Sequence, residues 1–370
     1  MYVVVQSIDF TGKTISLEVD RAITRAHTEH LNDFLGYCRY LGFSKVVIRH
    51  PSDMDPSSLE MFREFENAAE VPNLSIEPLA GHVGFRKPGS CGFECVGRYH
   101  DSGNSLEYEF VCGNMATVLE DLTTTVLVVG YSVPLDEESL SRLRLCLYEL
   151  GANTVEHGRF DHMRPQVRVS LVVGEDCIVA RYSDNASAFS TLKGKSLDIA
   201  EKISRRARRG LGLCLLHNMT DGLSYERDSS WNRTRFIIHR KKDASCHLNR
   251  RTDMNEIKIT VSPTDCRETV VVKPAGSINS STVPQLDASL TRLIQNGQTT
   301  IIVDLSETEF ISSSGVGLLL GTVSALRDKG GDMLLMKLPK LVNDIFEVLN
   351  IKMHFRILEN LDELKVTAKP

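Results

Sequence analysis

The feature that most constrains the fold is the regular alternation of apolar runs with amphipathic stretches between Ile257 and Val366. Thr269-Val270-Val271-Val272 reads as a strand and leads to Gly276-Ser277-Ile278-Asn279. A helix is then spaced by Val283, Leu286, Leu290 and Ile294 and ends at Gly297. Thr299 to Leu305, with the apolar run Ile301-Ile302-Val303 at its centre, reads as a buried strand. After Phe310-Ile311-Ser312-Ser313-Ser314-Gly315 a second helix runs to about Arg327. Lys329-Gly330-Gly331 turns into the strand Met333 to Met336, a third helix carries Val342, Ile345, Phe346 and Leu349, and a short strand lies near Phe355. Strands alternating with helices imply an α/β layer architecture.

The whole chain, at 370 residues, is too long for one ordinary core and suits two or three domains. A net charge of −5 argues against a general nucleic-acid binder, with the basic cluster Lys202, Arg205, Arg206, Arg208, Arg209 as a local exception that reads equally as a phosphate-facing lid or a solvated face. No apolar run approaches the ~20 residues that span a bilayer, and the N-terminus lacks the pattern of a signal peptide. Nine scattered cysteines fit reduced thiols, and the expected location is the cytoplasm. Cys91, Cys95 and His100 have no standard zinc spacing.

The middle of the chain carries the chemistry. In Leu147 to Gly158, LYELGANTVEHG, Glu149 and Asn153 lie four apart on a helical pattern and so project from one face. A carboxylate beside a carboxamide suits a base next to an oxygen ligand for Mg²⁺, although a solvent-facing Glu with a structural Asn makes the same pattern. Asp184 closes the strand-like alternation of Val167 to Tyr182, in the loop Ser183-Asp184-Asn185-Ala186. Arg208-Arg209-Gly210-Leu211-Gly212-Leu213 then opens an apolar helical run, where glycines let the backbone approach a phosphate. Thr234 precedes a closing strand, Arg235 to Ile238.

This order of parts resembles the GHKL (Bergerat) ATP-binding fold and, within it, the anti-sigma-factor serine kinases. The resemblance implies ATP and Mg²⁺ as cofactors, Glu149 as general base, Asn153 as the Mg²⁺ ligand and Asp184 as the adenine-reading carboxylate. It places Arg208, Gly210 and Gly212 along the phosphates and Thr234 on the adenine side, and His157 matches a histidine common in the family. Three positions depart from the family pattern: Ala186 stands where a glycine is usual, Arg208 replaces the first glycine of the phosphate box, and Ser229 to Arg233 replaces a glycine-rich stretch.

The C-terminal order closely resembles the STAS domain of anti-sigma-factor antagonists. By itself a serine run ahead of a helix is an N-cap signature. In the family the loop usually reads Asp-Ser-Ser-Gly with the serine after the Asp phosphorylated, which places the acceptor at Ser313, with Ser312 in place of the Asp and Asn279 in place of another frequent Asp.

The expected organisation is a multidomain α/β and α+β chain: 1–80 a small α/β domain, 81–104 a linker with a possible strand, 105–242 the GHKL ATP-binding sandwich, 243–255 a second linker and 256–370 the STAS domain. Residues 1–80 read strand-helix-strand-helix-strand, either a degenerate STAS-like copy without its acceptor or an unrelated α/β sensor. The polar tether near Lys241 to Asn255, spanning on the order of 20 Å, holds the STAS domain at about millimolar effective concentration. The resemblance thus implies a partner-switching regulator in which the kinase domain phosphorylates or docks the fused STAS domain, in cis or in trans, with a homodimer as one arrangement. It implies a sigma factor or other client, a phosphatase in trans, and neither direct nucleic-acid nor membrane partners. The alternatives are an inactive ATP-binding scaffold modified by a separate kinase, and a sensor histidine kinase, against which stands the absence of a His-bearing dimerisation helix.

Overall fold

The computed structural model describes residues 3–9, 13–19, 43–50, 56–68, 74–78, 93–99, 106–132, 135–161, 163–189, 211–228, 230–240, 257–264 and 268–363, together with positions 31, 35, 38 and 54. Arg208 and Gly210, the rest of the basic cluster, the tether after Arg240, and Cys91 and His100 lie outside the described residues. Two units cluster by their internal contacts: residues 1–190 with 220–250, and residues 191–219 with 251–370.

The first unit is built on one sheet of ten strands, in the order β4-β3-β2-β1-β5-β6-β7-β8-β10-β9. Its strands are β1 (Val3–Asp9), β2 (Thr14–Val19), β3 (Lys45–His50), β4 (Leu74–Pro78), β5 (Phe93–Tyr99), β6 (Leu106–Cys112), β7 (Val167–Val173), β8 (Cys177–Asp184), β9 (Gly222–Asp228) and β10 (Trp231–His239). From β1 to β4 the strands run antiparallel once and then parallel; from β5 to β10 every pairing is antiparallel. Val46, Val47 and Ile48 of β3 are all buried, as a parallel strand covered on both faces requires. In β7 and β10 burial alternates instead, which marks sheet with one covered face.

One strand of the sequence reading divides in two. The stretch Val167 to Tyr182 is a hairpin rather than one strand, because Gly174-Glu175-Asp176 turns the chain and the Gly174 N–H bonds the Cys177 carbonyl at 2.9 Å. The possible strand within 81–104 is β5, hydrogen-bonded into the sheet on both sides.

Among the described residues this unit holds the helices α1 (Pro56–Ala68), α2 (Val118–Ser132) and α3 (Glu137–His157), and positions 31, 35 and 38 are helical too. The start of α3 is fixed by Asp136, whose carboxylate accepts from the Ser139 N–H at 2.9 Å, and Glu137 and Glu138 add favourable charge at that terminus. α2 packs along α3 and also against β1.

The second unit holds a six-stranded sheet, order β11-β12-β13-β15-β16 with β14 pairing β12. The strands are β11 (Ile257–Pro263), β12 (Thr269–Ile278), β13 (Thr300–Asp304), β14 (Thr308–Ile311), β15 (Asp332–Met336) and β16 (Arg356–Leu358). The helices are α4 (Gly212–Asn218), α5 (Val283–Gln295), α6 (Ser313–Arg327) and α7 (Lys340–Val348), and α4 packs against α6 and α7. Ile301, Ile302 and Val303 are fully buried, which bears out the strand read from their continuous apolar run.

No helix among the described residues is long and apolar enough to cross a membrane, and no group of three or more described His, Cys, Asp or Glu side chains is placed to hold a metal ion.

Candidate functional site

Glu149 and Asn153 both lie on the C-terminal half of α3, one helical turn apart. Glu149 is buried, only 3% exposed. Asn153 is half-buried, and its amide Nδ2 is enclosed without a hydrogen-bond partner. An enclosed amide without a partner costs about 1–3 kcal/mol, and turning the carboxamide over would present its oxygen at the same place. A cation or nucleotide atom supplied from outside the chain would satisfy this group, so the side chain fits the Mg²⁺-ligand role. His157 is exposed in the last turn of the same helix.

Asp184 ends β8 and is held in a network that centres on a side chain from the neighbouring strand. Oδ1 accepts from the Ala186 N–H at 3.0 Å and from Asn232 Nδ2 at 2.8 Å. The same Asn232 nitrogen reaches the carbonyls of Ser187 at 3.0 Å and Ala186 at 3.3 Å. The Asn232 oxygen accepts from Arg227 Nη1 at 2.7 Å, Tyr225 Oη at 2.8 Å and the Phe189 N–H at 3.3 Å. Asn232 stands opposite Asp184 in the β8–β10 register, so sheet pairing alone brings the two together.

The second oxygen of Asp184 is less committed. Its one contact among the described residues is the Thr154 hydroxyl, at 3.4 Å. That hydroxyl also reaches the Leu150 carbonyl at 3.1 Å and accepts from the buried Tyr182 Oη at 2.8 Å. Burial raises the Asp184 carboxyl above its usual range, opposed by the bonds from Asn232, Ala186 and Thr154 and by the charge of Arg227. A half-buried carboxylate with one oxygen fixed and the other turned to a single long contact is fitted to accept a further N–H donor, such as an exocyclic amine.

Ala186 does not need the backbone freedom of the missing glycine. It is absent from the described residues with positive φ, and its N–H closes a tight turn on Asp184. Asn185 braces the loop from the other side, accepting from the Gln166 N–H at 2.7 Å and donating to the Arg164 carbonyl at 2.8 Å. Thr234 is buried in β10, in register with Tyr182.

The structure thus gathers Thr154, Asp184 and Asn232 into one network, with Glu149 and Asn153 on the helix that supplies Thr154. Gly212 opens α4 and belongs to the other unit. Asn232, Thr154, Tyr182 and Arg227 were missed by the sequence reading; nothing in the polar first half of β10, Asn232-Arg233-Thr234-Arg235, singles out Asn232.

In the second unit Ser313 is the first residue of α6 and half-buried. Ser312 occupies the cap position, but its hydroxyl pairs with Ser314 Oγ at 2.8 Å and makes no side-chain cap. The loop is pinned to the end of β12: the Ser312 N–H bonds the Ile278 carbonyl at 2.9 Å. Gly315 leaves no room for a side chain, since a Cβ there would stand 2.7 Å from Ile278 Cγ2 and 2.8 Å from the Ile278 carbonyl oxygen. Asn279 accepts from the Ser281 N–H at 2.9 Å and the Ser281 hydroxyl at 2.7 Å, shaping the turn after β12.

Residues 258–364 match the model of the STAS domain, and residues 117–238 match that of the histidine kinase-like ATPase domain. An anti-sigma-B factor antagonist of Staphylococcus aureus (strain NCTC 8325 / PS 47) is 31% identical over 81 residues, 22% of this chain and 75% of that protein. Among solved structures, the anti-sigma factor antagonist SpoIIAA in its unphosphorylated form is 26% identical, with 30% of this chain and 94% of that chain covered and a TM-score of 0.25. The Bacillus cell fate determinant SpoIIAA in the phosphorylated form is 25% identical, with 30% and 98% covered and a TM-score of 0.26. The chain belongs, through its C-terminal STAS domain, to the anti-sigma-factor antagonist family, and it carries a histidine kinase-like ATPase domain ahead of that domain.

Proposed function

We propose that this chain is a partner-switching regulator whose ATPase domain binds ATP with Mg²⁺ and acts as a serine kinase on the fused STAS domain at Ser313. The phosphorylation state of that domain then decides whether a client, a sigma factor or another protein, is held. The observation that carries this reading is the pairing of a buried Glu149 and an unsatisfied Asn153 amide on one helix with Asp184, whose second oxygen is open to a donor.

In this reading Asp184 and Thr234 take the adenine side, Arg208, Gly210 and Gly212 the phosphates, and Asn153 the Mg²⁺. The cation, when bound, supplies charge neutralisation at the phosphates. Glu149 takes up the proton of the Ser313 hydroxyl as it attacks. The first turn of α6 holds no acidic residue, so a phosphate of roughly −1.5 to −2 charge meets a favourable helix terminus there.

A second reading has its own observation. Asn232 Nδ2 donates to Asp184 much as an adenine amine would, which favours a self-satisfied pocket, a docking protein without catalysis, and modification of Ser313 by a separate kinase. Incubating the full chain with γ-labelled ATP and Mg²⁺ separates the two. The kinase reading expects label on Ser313 that is lost in both Ser313→Ala and Glu149→Gln, with ATP raising the unfolding temperature. No label and no thermal shift would leave the docking protein.

A further inference from the structure

Residues 3–78 repeat the strand plan of the STAS domain. Each opens with an antiparallel pair, β1 with β2 and β11 with β12, and continues through two parallel neighbours, β3-β4 and β13-β15. The central parallel strand is buried on both faces in each, at Val46-Val47-Ile48 and at Ile301-Ile302-Val303. A helix with two serines in its first turn comes next in each, α1 with Ser57-Ser58 directly after β3 and α6 with Ser313-Ser314 after the intervening β14. Buried Leu31, Leu35 and Cys38, all helical, fall between β2 and β3 where α5 falls between β12 and β13.

The N-terminal copy is joined to the ATPase domain in a particular way. β1 pairs β5 at two positions, Ser7 with Val96 and Ile8 with Cys95, against seven for β5 with β6. The paired register at this seam is thus shorter than at the neighbouring β5–β6 pair. β1 also packs against α2, and α2 packs along α3. Two glycines make that helix pairing close. A Cβ at Gly130 would overlap the Leu140 side chain, and one at Gly151 would stand 2.8 Å from Leu119 Cδ2 and 3.3 Å from Leu122 Cδ1. Gly151 lies between Glu149 and Asn153 on α3. Close-packed contacts of this kind pass small displacements on rather than absorb them.

We propose that residues 3–78 are a resident STAS-type regulatory module, in which the seating of β1 sets α2 and, through the Gly151 notch, the positions of Glu149 and Asn153. The two-state element is the β1–β5 seam, seated or released, and the nucleotide site is the responder. This inference rests on the reading that Glu149 and Asn153 serve a nucleotide.

The test uses the full chain and ADP with Mg²⁺. Ile8, 1% exposed on β1, is changed by Ile8→Ala, and the nucleotide dissociation constant is measured by calorimetry. The expected change is about fivefold or more, with amide exchange quickened in 3–9 but not in 45–50. By reciprocity, ADP should slow exchange in 3–9 of the unaltered protein, a readout that survives if the variant folds poorly. Gly151→Ala should weaken nucleotide binding, and adding Leu119→Ala, which vacates the notch, should restore it. A dissociation constant within about twofold for Ile8→Ala, with exchange in 3–9 indifferent to ADP, overturns the coupling while leaving nucleotide binding intact. An unaltered chain that binds no ADP removes the nucleotide reading, and this inference with it.

Discussion

Asn232→Asp is the sharpest probe of the carboxylate network, because it keeps the shape of the side chain and removes its donor. Three bonds donated by Nδ2 are lost, one to the Asp184 carboxylate and two to carbonyls. A bond to a charged group is worth about 1.5–3 kcal/mol and a neutral one about 0.5–1.5 kcal/mol, the carbonyl at 3.3 Å counting least. The new carboxylate also stands where the amide did, 2.8 Å from Asp184 Oδ1. Two unit charges at that separation repel by about 6 kcal/mol at an effective dielectric of about 20. Arg227, 2.7 Å from the Asn232 oxygen, offsets part of this, but it is exposed and its pull is screened.

The net expectation is a loss of at least about 3 kcal/mol at pH 8. The pH dependence has a definite sign. Burial already raises Asp184, and a like charge raises it further. An acid raised in the folded state is penalised above its folded pKa and unpenalised below its unfolded one, so the gap to the unaltered protein should narrow as pH falls from about 8 to about 5. Trp231 is the single tryptophan and adjoins Asn232 on β10, so urea unfolding followed by its fluorescence reports this region directly. A gap below about 1 kcal/mol at pH 8, or one that does not change with pH, would refute the reasoning.

Two further outcomes are expected. Gly315→Ala forces a methyl against the Ile278 carbonyl oxygen, which cannot move aside, and should destabilise the STAS domain by about 2–3 kcal/mol, read as a lower midpoint for loss of exchange protection in α6; an unshifted midpoint would contradict the close approach. Asp121, 7% exposed on α2, is raised from 3.8 to about 6, chiefly by burial. Stability should therefore fall by about 3 kcal/mol as pH rises from about 4 through about 6 and then level off, and Asp121→Asn should flatten that segment of a pH series of urea midpoints; an unchanged slope would show that another group causes it.

What was legible in the sequence depended on distance along the chain. Glu149 and Asn153 announced themselves because helical spacing puts residues four apart on one face, and the STAS core because a buried parallel strand leaves a continuous apolar run at Ile301-Ile302-Val303. Asp184 was found as the polar end of an alternating strand, but its partner Asn232 lies 48 residues on and meets it only once β8 and β10 pair. Thr154 was read as part of a helical pattern, and nothing local marks the hydroxyl that receives Tyr182 from 28 residues away. The place of β5 between β1 and β6 escaped notice for a similar reason, since strand order is a property of the sheet. Gly151 sat in the motif from the start, yet its use is set by Leu119 and Leu122 of another helix.

The seat of α6 on β12 has one further consequence. With Gly315 resting on Ile278 and the Ser312 amide tied to the same residue's carbonyl, the start of that helix has no room to recoil. A dianion placed on the neighbouring hydroxyl would gain from the helix terminus but could not draw back with the backbone, so any protein that had covered this spot must find cations or let go.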